Sequence, residues 1–265
     1  MSVYTHNIEV FKDTRHLSNT EFKEATKTLK RNTAVIAQPS HLFIDNKPRS
    51  KFENTEIRFT NGGTVSTAYA YAEEYNVAAL NFADALEPGG LVLSGEVTQE
   101  ENICRCTNLY ESITLDKAMS GYYKYNQKML PICPYYTNAL IYSYDVTVFK
   151  DDTDYHRIEP RNIDVITCPS PAGGNTKNLS ALLKERIEGI VVSAVYYEAE
   201  VLVLGAWGCG AFRQDAKIMA RLFGEVIAKY KQYFKIIDFA IRENFGGRSA
   251  LLEVFEKHFW KGYNM

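Results

Sequence analysis

Two stretches of the chain constrain its fold most. Residues 77–101, VAALNFADALEPGGLVLSGEVTQEE, and residues 201–215, VLVLGAWGCGAFRQD, share one plan. Each begins as a short apolar run bounded by turn residues, the pattern of a buried strand, then passes into a glycine-bearing loop and a helix. Junctions of this kind belong to layered α/β sheets, where ligands bind outside the carboxyl ends of the strands. Glycines let backbone N–H groups approach a phosphate closely, and a helix N-terminus adds a favourable dipole. Two such loops are expected to hold a diphosphate from both sides. Each loop taken alone is also readable as a plain turn. The spacing Gly205-x-x-Gly208-x-Gly210 matches neither the dinucleotide fingerprint nor the mononucleotide phosphate loop, since no Gly-Lys-Ser/Thr follows.

The rest of the chain alternates in the same way. Residues 14–32 read as a helix, with Ser18 and Glu21 at capping-box spacing. Residues 56–60 suit a strand, the turn Asn61-Gly62-Gly63 follows, and Thr64 is placed to cap a helix to about Tyr75. A helix is expected from about Thr98 to Ile113, and strands at 139–143 and 163–168. Then come a helix at 178–199, a strand at 200–205, a helix at 215–230, a strand at 235–241 and a helix at 247–260. Residues 120–160 are Tyr-rich and irregular in pattern. No Pro-, Gly- or Ser-rich linker divides the 265 residues, so one domain over 1–265 is expected, with 1–55 as a helical N-terminal elaboration.

Composition narrows the partners. The formal net charge is −2, so an anionic ligand must be held by local dipoles and a few placed cations. That disfavours direct nucleic-acid binding, which needs a basic stripe. No apolar run approaches 18 residues, and Met1 to Val10 does not read as a signal peptide, so no membrane partner and a cytoplasmic location are expected. The five cysteines, Cys104, Cys106, Cys133, Cys168 and Cys209, show no CxxC spacing, which argues against both a disulfide framework and structural zinc.

Gln99-Glu100-Glu101 opens the helix after the first glycine loop. Thr98-x-x-Glu101 fits a capping box, and acidic side chains suit a first helical turn. The alternative is catalytic. Adjacent helical residues point about 100° apart, so this pair is unable to flank a bond like the usual glycosidase carboxyls, roughly 5–9 Å apart across the sugar. One glutamate would serve as both acid and base while the other orients sugar hydroxyls. The helix dipole favours the ionised form of both, and a bound diphosphate would push a neighbouring carboxylate back toward its protonated form.

Here the residues resemble a known family. Gly89-Gly90, eight residues, then Gln99-Glu100-Glu101 resembles the poly(ADP-ribose) glycohydrolase signature of glycines, a spacer and QEE. Asn81-Phe82-Ala83, Leu140 to Ser143, Val148 to Asp152 and Val165 to Thr167 resemble the microbial branch, and Gly205 to Phe212 its second phosphate loop. The resemblance implies a macrodomain: an α/β/α sandwich with a mixed sheet. It also implies hydrolysis of ribose–ribose O-glycosidic bonds of poly(ADP-ribose) to release ADP-ribose, with no cofactor and no metal. By the same match Glu101 is the acid/base and Glu100 binds ribose hydroxyls. Asn81, Gly89, Gly90 and Gln99 line the substrate, and Gly208, Cys209, Gly210, Ala211 and Phe212 hold it at the diphosphate. Phe212 also packs by the terminal ribose or adenine. The chain departs from the pattern at Leu91, where the family has a third glycine, at Asp84, where a small or amide side chain is usual, and at Glu87, where Asn is common before the proline.

Other candidates read as structural. Cys209 has no placed His near it in sequence, His156 lies in a polar stretch, and Cys104 and Cys106 point about 200° apart on a helix. Asp151, Asp152 and Asp154 read as an exposed acidic turn, and the Tyr122, Tyr123, Tyr125 cluster with Lys124 as packing. Two functional classes remain: a glycohydrolase acting on poly(ADP-ribose), or a macrodomain that binds ADP-ribose or removes a single unit from modified protein or nucleic acid. The QEE run favours the first.

Overall fold

A computed structural model describes residues 2–43, 51–173, 176–242 and 250–265. Seven strands form one mixed sheet in the order β1-β4-β5-β3-β6-β7-β2. They are β1 Ala34–Ile36, β2 Glu56–Thr60, β3 Val77–Phe82, β4 Leu140–Lys150, β5 Arg157–Cys168, β6 Val201–Leu204 and β7 Ile236–Ala240. β5, β3, β6, β7 and β2 run parallel, while β4 pairs antiparallel with β5 and with β1. The carboxyl ends of five strands therefore share one edge of the sheet.

The central strands are buried on both faces, as parallel strands covered by helices must be. Ala78, Leu80, Leu202 and Leu204 face one apolar layer; Val77, Ala79, Val201 and Val203 face the other. This period of two sorts the helices into two layers. α8 Ser180–Tyr196, α9 Ala216–Ile227 and α10 Ala250–Tyr263 cover the first face. α1 Val3–Asn19, α2 Lys23–Asn32, α3 Thr64–Tyr71, α4 Gln99–Cys106 and α5 Tyr110–Ile113 cover the second. The short α6 Asp116–Ala118 and α7 Lys124–Met129 extend that layer, joined by a π-helical turn. The result is the expected α/β/α sandwich.

Several boundaries differ from those read in the sequence. The helix expected over 14–32 is two. The chain turns at Thr20–Phe22, where Phe22 stacks on Phe149 with ring centroids 4.5 Å apart. Ser18 is buried and donates to the Thr14 carbonyl, while Glu21 pairs with Arg157, so the Ser18/Glu21 capping box does not form. The helix expected to Ile113 stops at Cys106. Thr107 bridges Val148, and the Asn108 side chain accepts from the Thr147 amide at 2.8 Å, exchanging helical bonds for sheet bonds. Residues 120–160 are regular rather than irregular: two long strands and a helical segment occupy most of them. The segment 1–55 contributes β1 to the sheet edge as well as helices. Residues 247–249 of the last expected helix lie outside the described residues.

Candidate active site

A cleft of about 540 Å³ opens at the carboxyl edge of the sheet, lined by residues that follow four of the parallel strands. Gly62, Gly63 and Thr64 follow β2; Asp84, Gly90, Leu91 and Val97 to Asn102 follow β3; Ala206 and Gly208 to Phe212 follow β6; Ile241 and Arg242 follow β7. The two glycine loops therefore meet, because they leave adjacent strands in the same direction.

Each acidic side chain of QEE is fixed by main chain. Glu100, 2% exposed, accepts from the Asp84 amide at 2.7 Å on Oε2 and from Asn81 Nδ2 at 3.1 Å on Oε1. Burial pushes its carboxyl up to about 8. The two hydrogen bonds oppose this, and the charges of Glu101 and Asp84 add to it. At Glu100, desolvation thus works against the first-turn dipole. Glu101, 4% exposed, accepts from the Leu91 amide at 2.9 Å on Oε1 and from the Thr98 hydroxyl on Oε2. Thr98 is the N-cap residue, yet its hydroxyl serves the Glu101 carboxylate and no backbone amide, so the expected capping box is absent.

The first glycine loop packs against the two glutamates. The Gly90 amide bonds to the Glu87 carbonyl and the Leu91 amide to Glu101, so neither is free for a diphosphate. Gly90 has φ +57°, and a Cβ there would sit 2.6 Å from Glu101 Oε1 and 3.2 Å from Glu100 Oε2. The glycine is required by the two carboxylates. Gly89 does not line the cleft; it lies against the Tyr110 ring. Asn81 is fully buried behind Glu100, bonded to it and to Thr167. Gln99 reaches the cleft wall, but its amide is committed to the Phe82 N–H, the Leu80 carbonyl and Thr64, which bolts α4 onto β3. Asn81 and Gly89 thus lie behind the cleft wall and Gln99 lies in it, and the Asn81 Oδ1 has no hydrogen-bond partner among the described residues. Asp84 meets the donors its position demands: Oδ1 accepts from the Leu86 and Glu87 amides at 2.7 and 3.0 Å.

The second loop leaves several of its amides open toward the cleft. The amides of Trp207, Cys209, Arg213 and Gln214 close the turn on carbonyls of the same loop. Those of Gly208, Gly210, Ala211 and Phe212 have no intramolecular acceptor among the described residues. Buried Trp207 anchors the loop by donating to the Cys168 carbonyl at 3.1 Å. Gly208 has φ +78°, and a Cβ there would collide with Ser170 Oγ. Cys209 is a cleft residue whose thiol burial pushes up to about 12, which leaves it no nucleophilic character at neutral pH.

One corner of the cleft was missed in the sequence. Asp152 is 3% exposed, not a surface residue, and pairs with Arg242 at 3.0 Å. Arg242 also donates to the Asp152 carbonyl, and Gly63 leaves the space they fill. The available signal was position: Gly63 and Arg242 each follow the carboxyl end of a strand. Asp151 does form the expected acidic turn, accepting from the Thr153, Asp154 and His156 amides. Tyr122 and Tyr123 are fully buried, as packing requires. No group of His, Cys, Asp or Glu suited to a metal occurs among the described residues.

Residues 4–151, a segment that includes the QEE run and both of its anchors, match the model of the microbial-type poly(ADP-ribose) glycohydrolase catalytic domain. The chain belongs to this family. It is therefore a glycosidase-type hydrolase. The poly(ADP-ribose) glycohydrolase of Thermomonospora curvata is 26% identical, with 96% of this chain and 100% of that one covered and a TM-score of 0.83. A second structure of that protein, bound to the inhibitor ADP-HPD, matches equally. The Deinococcus radiodurans glycohydrolase in complex with ADP-ribose is 32% identical, with 89% and 97% covered and a TM-score of 0.78. No curated protein matches the chain in sequence. Among the described residues, no helix is long and apolar enough to cross a membrane.

Proposed function

We propose that this poly(ADP-ribose) glycohydrolase works through Glu101 as a single acid/base, with Glu100 orienting the ribose and Gly208 to Phe212 holding the diphosphate. Supporting this reading is the placement of an anchored carboxylate, Glu101, in the same cleft as a loop with four free amides. Those amides supply the anion site that a chain of net charge −2 needs. Phe212, half-buried in the cleft wall, packs against the terminal ribose or adenine. Asn81 and Gln99 act as positioning residues, through Glu100 and through α4.

In the reaction, protonated Glu101 gives its proton to the glycosidic oxygen as the bond from that oxygen to the anomeric carbon breaks. The carboxylate then takes a proton from water as the water oxygen bonds to the anomeric carbon. ADP-ribose leaves, and Glu101 is protonated again. Burial holds Glu100 toward its neutral form, which limits repulsion of the Glu101 carboxylate that the first step leaves.

The test is Glu101→Gln, which keeps size and removes the titrating proton. Calorimetry should show ADP-ribose binding retained, and the initial rate of ADP-ribose release from poly(ADP-ribose) should fall by about 10²-fold or more. Near-wild-type turnover would remove Glu101 from the chemistry. Loss of ADP-ribose binding would make it a structural residue.

A further inference from the structure

The cleft is bordered by an apolar lip that the reaction itself does not use. Among the described residues, Leu91 is 56% exposed, Leu93 65% and Val97 58%. They lie in one short segment between the glycine loop and α4. In the first turn of α1, which packs beside this segment, Val3 is 58% exposed and Tyr4 49%. The two segments are in contact. The Tyr4 main chain lies against Gly95, closely enough that a Cβ there would collide with its carbonyl, and Asn7 donates to the Gly95 carbonyl at 2.8 Å. Exposed apolar side chains scattered singly need no explanation, but a contiguous patch at the mouth of a ligand cleft marks a binding surface.

The lip is placed on the Glu101 side. Leu91 supplies the amide that holds Glu101, Val97 precedes the threonine that holds its other oxygen, and both residues line the cleft. With one ADP-ribose unit on the loop after β6 and its scissile bond at Glu101, as proposed above, the remaining polymer would leave on the Glu101 side, where Leu91 and Val97 line the cleft. What a chain of ADP-ribose units offers such a surface is the adenine π-face, which stacks on an aromatic ring such as that of Tyr4 and packs against aliphatic side chains. On the reading given under Proposed function, we infer that Tyr4, Leu91, Leu93 and Val97 form a second subsite. It holds an adenine of the poly(ADP-ribose) segment beyond the scissile bond, so the N-terminal helix takes part in recognising polymer as opposed to monomer.

The test uses Tyr4→Ser/Leu93→Ser, two exposed positions outside the catalytic and diphosphate machinery. It is made alone and in the Glu101→Gln background, with thermal melts to verify folding. In that background, Kd for ADP-ribose should stay within twofold of the parent, while Kd for poly(ADP-ribose) should weaken about five- to tenfold. In the active protein, KM for polymer should rise with kcat little changed. Equal affinities for polymer with and without the lip substitutions would overturn the subsite, as would a parallel loss for polymer and ADP-ribose. A wild-type protein that releases no ADP-ribose from polymer would instead refute the glycohydrolase reading, and the subsite with it.

Discussion

Glu100 and Glu101 are neighbours in sequence, yet different main-chain amides hold them, Asp84 for one and Leu91 for the other. Gly90 is the residue that permits both. Gly90→Ala places a methyl within 2.6 Å of Glu101 Oε1 at a φ of +57° that L-residues seldom adopt. The variant is expected to fold, with a modest loss of stability, and to lose about tenfold or more in polymer hydrolysis as the carboxylates shift. ADP-ribose affinity should change far less, since the diphosphate site proposed above lies on the loop after β6; calorimetry beside the rate assay separates the two. The sequence shows a Pro-Gly-Gly turn here and leaves its purpose open. What the glycine makes room for is the Glu101 side chain, eleven residues further on.

At the scale of elements, the loop after β6 has the same dependence on a close approach, this time to a neighbouring loop. Gly208→Ala drives a Cβ into Ser170, next to buried Gln214. Because Trp207 is pinned to Cys168, the loop cannot yield there, and its free amides should lose their common aim. The expected result is ADP-ribose affinity at least about tenfold weaker in calorimetry, with circular dichroism unchanged. Both junctions were legible as strand, loop and helix because short buried strands and glycines have a local signature. The breaks at Thr20–Phe22 and Cys106 were not legible. They are set by Phe149 and by the Thr147 amide, partners more than 35 residues away. Asp152 was misread as surface for the same reason: its partner Arg242 comes 90 residues later.

For the whole molecule, two buried acids set a dependence on pH. Burial raises Glu100 from 4.5 to about 8 and Asp164, beside Tyr142, from 3.8 to about 7. Between those limits the unfolded chain has lost protons that the folded one retains, so stability falls as pH rises from about 4 to 8. Melting temperatures should therefore decline across that window, and Glu100→Gln and Asp164→Asn should each flatten the decline, gaining most on wild type at pH 8 and least at pH 5. A double variant whose melting curve shifts with pH as steeply as wild type would rule out both groups. The Leu91–Glu101 bond also reaches beyond this one chain. The bond is made by an amide that every residue but proline possesses, so the side chain at 91 can drift without disturbing the carboxylate. The entrance to the cleft is thereby uncoupled from its chemistry. A designer wishing to retune what the cleft admits has position 91 as the place to begin.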